Sequence, residues 1–121
     1  MSFYTEYVIK SSLTGSNYIC NPPVTGTDID TVLLVRPGYE DSLKSEGFCY
    51  YMSEHEYDSL GSFVSWRKGN QNYITTEVED FYNKFVFATE IARLLNLKIK
   101  QDRVKLFQAI LYNTWATENS S

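Results

Sequence analysis

Apolar and polar positions alternate along this chain in a way that divides it into short, readable segments. Phe3, Tyr4, Tyr7 and Val8 recur at helical spacing, which predicts a short helix over residues 3–9. Residues 11–16, Ser-Ser-Leu-Thr-Gly-Ser, interrupt it and leave room for a short strand ending at Gly15. Two prolines and a glycine make residues 21–27 a loop. The clearest strand follows at Asp28–Val35, apolar beyond Thr31 and stopped by Pro37-Gly38. Such an unbroken apolar run predicts an interior strand covered on both faces.

Tyr39 to Ser45 predicts one or two helical turns capped near Gly47, whereas residues 48–60 show no clean period. Residues 62–66 and 72–76 alternate as two strands of a hairpin joined by Lys68-Gly69-Asn70-Gln71. Thr76 is placed to cap a helix whose stripe is Phe81, Phe85, Ala88, Ala92 and Leu95, with Asn96 as the stop. A second helix from about Gln101 carries Val104, Phe107 and Leu111 on one face, with Ile110 beside it. The order predicts an α+β domain, a small mixed β-sheet backed by helices, with two helices at the C-terminal end.

Composition narrows the function. At 121 residues, 43% hydrophobic and 16% aromatic, the chain supplies one core, expected over residues 1–116, with residues 117–121 a disordered tail. A net charge of -4 argues against a protein that coats duplex nucleic acid, because such binding needs a basic surface. No apolar run approaches the roughly 18 residues that cross a bilayer. The first residues also lack the basic-then-apolar order of a signal peptide, so a cytoplasmic protein is expected. Cys20 and Cys49, without close spacing, read as free buried thiols, with a disulfide between them the alternative, and with the single His55 they make no four-ligand zinc site without carboxylates.

The chemistry concentrates in Gly15-Ser16, a gap of residues 17–27, and then Asp28-Ile29-Asp30 at the head of the apolar strand. Acids two apart on a strand project to one face. They repel unless a hard cation lies between them. Magnesium takes oxygen ligands and is commonly held by one or two carboxylates with substrate phosphates. Gly15 permits close approach of the backbone to a triphosphate, and the Ser16 hydroxyl and neighbouring amides can donate to it.

Thr14, Gly15, Ser16, Asp28, Ile29 and Asp30 together resemble the signature of the DNA polymerase beta-like nucleotidyltransferase superfamily. Residues 65–72, 80–85 and 100–107 look like the corresponding stretches of its small bacterial and phage members, which implies a host cytoplasm. The resemblance implies Mg2+-dependent transfer of a nucleoside monophosphate from a nucleoside triphosphate to an acceptor hydroxyl on protein, RNA or a small molecule. It also implies a third carboxylate on a neighbouring strand, where this chain offers Asn72, Thr75 and Thr76, and Glu77 is the nearest acid.

Arg67 and Lys68 either neutralise phosphates or are solvated turn charges. Lys100 and Arg103, at helical spacing, either face the triphosphate or pair with neighbouring acids. Tyr50, Tyr51, Trp66 and Tyr73 are stacking candidates set against a core role. His55, among Glu54, Glu56 and Asp58, reads as an exposed loop residue. The alternatives to an enzyme are a catalytically silent nucleotide binder, an antitoxin-like or host-interacting partner protein, which includes a self-associating one, and a structural module without a nucleotide site.

Overall fold

A computed structural model describes residues 2–21, 28–51 and 63–112. Helix α1 (Phe3–Tyr7) leads into strand β1 (Val8–Thr14) and helix α2 (Gly15–Ile19). Strand β2 (Ile29–Val35), helix α3 (Glu40–Ser45) and strands β3 (Cys49–Tyr51), β4 (Val64–Lys68) and β5 (Gln71–Thr76) follow, then helices α4 (Glu79–Leu94) and α5 (Lys100–Tyr112). The five strands form one mixed sheet in the order β1-β2-β5-β4-β3, with β2 parallel to β5 and every other pair antiparallel. This is an α+β fold with a mixed sheet and two C-terminal helices, as the segment order implies.

Period-two alternation sends the apolar residues of β2 to two cores. Val32 and Leu34, with Ile74 of β5, pack under Ile19, Phe81, Phe85, Ala88, Ala92 and Phe107. Leu33 and Val35, with Trp66, pack under Phe3, Tyr39, Leu43 and Phe48. Helices α2, α4 and α5 therefore cover one face, and α1 and α3 the other. The unbroken apolar run of β2 has this double burial as its cause, since Val32, Leu33, Leu34 and Val35 are all at most 3% exposed.

Several sequence expectations shift. The first helix ends at Tyr7, because Val8 begins β1 and pairs with Val35. Thr76 remains in β5 and is buried; Val78 is the N-cap residue of α4, and its amide donates to Thr76 Oγ1 at 3.1 Å. Phe81, Phe85, Ala88 and Ala92 form the buried stripe of α4, but Leu95 is 60% exposed. Asn96 turns the chain with φ 50, and Leu97 packs against the core in place of Leu95. Phe107 and Leu111 of α5 are buried as its periodicity implies.

The stretch without a clean period contributes β3, and residues 52–62, including His55, lie outside the described residues, as does the 117–121 tail. Cys20 and Cys49 are both free; Cys20 is buried, whereas Cys49 on the edge strand β3 is exposed. Among the described residues, no helix is long and apolar enough to cross a membrane.

Candidate functional site

One row of paired residues crosses the whole sheet. Thr14 of β1 faces Asp30 of β2, Asp30 faces Asn72 of β5, Asn72 faces Arg67 of β4, and Arg67 faces Cys49 of β3. Residues in register share a face, so the Asp30, Asn72 and Arg67 side chains lie on the side covered by α2 and α4. Asn72 Nδ2 donates to Asp30 Oδ1 at 3.0 Å. Asp28, one residue before β2, sends its carboxylate to the same row and forms an ion pair with Arg67 Nη2. The two aspartates thus converge on neighbouring members of one row.

Gly15 supplies the other wall. Its φ of +77° is a left-handed conformation that glycine adopts without penalty. A Cβ placed there would fall on the Asp30 carboxylate, 2.7 Å from Cγ and 2.8 Å from Cβ, with an oxygen closer still. Only a glycine lets the β1–α2 turn lie flat against Asp30. The turn is anchored behind by a buried hydrogen bond of 2.7 Å between Thr14 Oγ1 and Thr89 Oγ1 of α4. From this point a cleft of about 550 Å³ opens between α2, α4 and the start of β2, lined by Thr14, Asn17, Tyr18, Asn21, Asp30 and Arg93 among others.

The residues that the sequence pattern singles out separate into two groups. Gly15, Asp28, Asp30 and Arg67 come together, and Ser16 follows Gly15 in the first turn of α2. Glu77 does not join them: it comes after β5, five positions beyond Asn72. At strand rise that is roughly 17 Å along the sheet. Because β5 runs parallel to β2, its N-terminal end, not its C-terminal end, lies beside Asp30. Lys100 opens α5 and is exposed. Arg103 Nη1 donates to the Leu97 and Lys98 carbonyls at 2.9 and 3.0 Å, closing the α4–α5 turn.

Lys68 Nζ donates to the Glu46 carbonyl at 2.7 Å, a turn contact and not one of the aspartate row. Trp66 is buried and Tyr73 half-buried against Phe3 and Phe48 on the opposite face of the sheet, which leaves Tyr50 as an exposed aromatic. Arg93 and Tyr18 carry no signal in the sequence. Their arrangement depends on how α4 docks on α2, which no local spacing encodes.

Two carboxylates, Asp28 and Asp30, reach this row, and Asn72 turns its Nδ2 to Asp30 while its Oδ1 is buried without a hydrogen-bond partner among the described residues. The two carboxylates are ligands of the kind a hard cation takes. Among the described residues, no three His, Cys, Asp or Glu side chains come together, and the β5 residue paired with Asp30 is the amide Asn72. Comparison with family models, with curated proteins and with solved structures finds no match for this chain.

Proposed function

We propose that this domain binds a magnesium-nucleoside triphosphate on a nucleotidyltransferase-like framework, and that Asn72 leaves it poorly equipped for nucleotidyl transfer. The observation that carries the reading is the contact between the Gly15 backbone and the Asp30 carboxylate. It sets the Gly-Ser turn against Asp30 although a loop separates the two in sequence, which supports reading them together. Asp28 and Asp30 would hold the cation, joined by the Asn72 Oδ1 if that amide turned over, and the chemistry it would supply when bound is to neutralise phosphate charge. Ser16 would donate its hydroxyl to a phosphate oxygen.

Arg67 has two roles in this reading. It balances Asp28; were that carboxylate to hold a cation instead, the guanidinium would turn toward the phosphates. The transfer reaction also needs a base that removes the proton of the acceptor hydroxyl. Asn72 occupies the register position beside Asp30 and cannot accept that proton. This is the reason to prefer binding over turnover.

The second reading, slow transfer to a protein, RNA or small-molecule hydroxyl, is favoured by the two carboxylates converging on one row. A triphosphate labelled at its α-phosphate separates the readings. Binding that requires magnesium, with no label passing to any acceptor, supports the first. Label transfer that Asp28→Asn abolishes establishes the second. A protein that binds no triphosphate with or without magnesium refutes both.

A further inference from the structure

Arg93 of α4 lies on the wall of the cleft that Asp30 also lines. Its guanidinium carbon is 4.3 Å from the centre of the Tyr18 ring, and Nη1 donates to the Tyr18 hydroxyl at 2.8 Å. Tyr18 in turn donates to Glu90 Oε1 at 2.9 Å, one helical turn before Arg93 on α4. The guanidinium is therefore held over an aromatic ring and tied to it by one hydrogen bond. An arginine orders its remaining N–H donors in a rigid fork suited to phosphate oxygens. Tyr18 and Glu90 reduce the entropy lost when that fork is used.

The charge distribution of the cleft gives the arrangement a purpose. Among the described lining residues, Asp30 is the one carboxylate and Arg93 the one cation. A dication on Asp28 and Asp30 does little more than balance their own charge, so the triphosphate needs further positive groups. Arg103 holds the carbonyls of the α4–α5 turn instead. The volume of about 550 Å³ lies in the range of small-ligand sites.

We propose that Arg93, oriented by Tyr18, is a phosphate-binding residue of this site and makes it select nucleoside triphosphates over monophosphates. The inference rests on the nucleotide-binding reading above and adds to it the residue that receives the phosphates distant from Asp30.

The test titrates ATP, ADP and AMP, each with magnesium, into wild type, Arg93→Gln, Arg93→Lys and Asp30→Asn, and records the Tm of each protein. Arg93→Gln is expected to weaken ATP binding about tenfold to a hundredfold, the range for a lost charge-assisted hydrogen bond. AMP affinity and Tm should stay as in wild type, and Arg93→Lys should recover part of the loss. If Arg93→Gln binds ATP as wild type does while Asp30→Asn does not, the role of Arg93 is refuted and the nucleotide reading stands. An equal loss for all three nucleotides together with a lower Tm would show a structural arginine and overturn the inference. If wild type binds none of the three, the reading and the inference fall together.

Discussion

Asp30 is constrained from three sides: by the Gly15 backbone, by the Asn72 amide and by its cross-strand partner Thr14. Adding one methyl group at Gly15 attacks the first of these. Gly15→Ala meets both an unfavourable left-handed backbone, about 1–2 kcal/mol, and the Asp30 carboxylate. Gly38→Ala is the matched control, since Gly38 has φ +84° and no atom within 4 Å of the place its new methyl would take. Chemical denaturation is expected to show Gly15→Ala clearly less stable than Gly38→Ala; equal losses would mean that Asp30 moves aside at no cost.

Asn72→Asp addresses the second side. It sets two carboxylates against each other across β2 and β5, so the variant should melt below wild type without metal. Magnesium should raise its Tm by more than it raises that of wild type, and a Tm indifferent to magnesium would count against a cation at this row. The Gly15-Ser16 and Asp28-x-Asp30 pattern is legible in the sequence because its elements are local and the strand period dictates their common face. Asn72 as the partner of Asp30 is not, because the register between β2 and β5 is set by tertiary packing across 42 positions of chain.

At the scale of elements, α4 is the member that holds the sheet and α2 together. Phe85 packs against Phe81 and Phe107, Thr89 bonds Thr14, and Tyr82 bonds Ser12 at 2.8 Å. Phe85 is 1% exposed, so Phe85→Ala should cost about 3–5 kcal/mol in urea unfolding. A loss under about 1 kcal/mol would place the core elsewhere.

On the opposite face, Tyr39 accounts for a pH effect. Thr75 Oγ1 donates to the Val64 carbonyl, so in its bond of 2.8 Å with Tyr39 it must accept, and Tyr39 must keep its proton. Burial raises the Tyr39 pKa above its ordinary 10.0, with Glu40 and Glu77 adding repulsion. A raised native pKa means that this contribution to stability is complete below the unfolded value and is lost as pH climbs from about 10 through the native value. Tyr39→Phe should lessen the alkaline fall in Tm, while Tyr73, raised by its own burial, keeps part of it.

The α4 stripe is readable because six buried side chains follow one helical period. Strand β1 looks shorter in the sequence than it is because Tyr7 and Val8 fit helix spacing equally well, and only pairing with Val35 decides for the strand. Strand β3, three residues long, carries too few positions for a period.

Over the whole molecule, two cores on either side of one mixed sheet bring the β1–α2 turn and the first residues of β2 and β5 to the same end, and the cleft opens there. The protein is acidic overall, with a net charge of -4, so under the proposed reading a triphosphate would have to be attracted by local groups and not by a general basic field. Whether a divalent cation settles beside Asp30 decides for or against that reading. Manganese, a paramagnetic stand-in for magnesium, broadens amide NMR signals near the site it occupies. Added with ATP, it is expected to broaden Gly15, Ser16, Asp30 and Asn72 first, and to spare them in Asp30→Asn. Broadening centred on another part of the fold, or none at all with ATP present, would contradict the account.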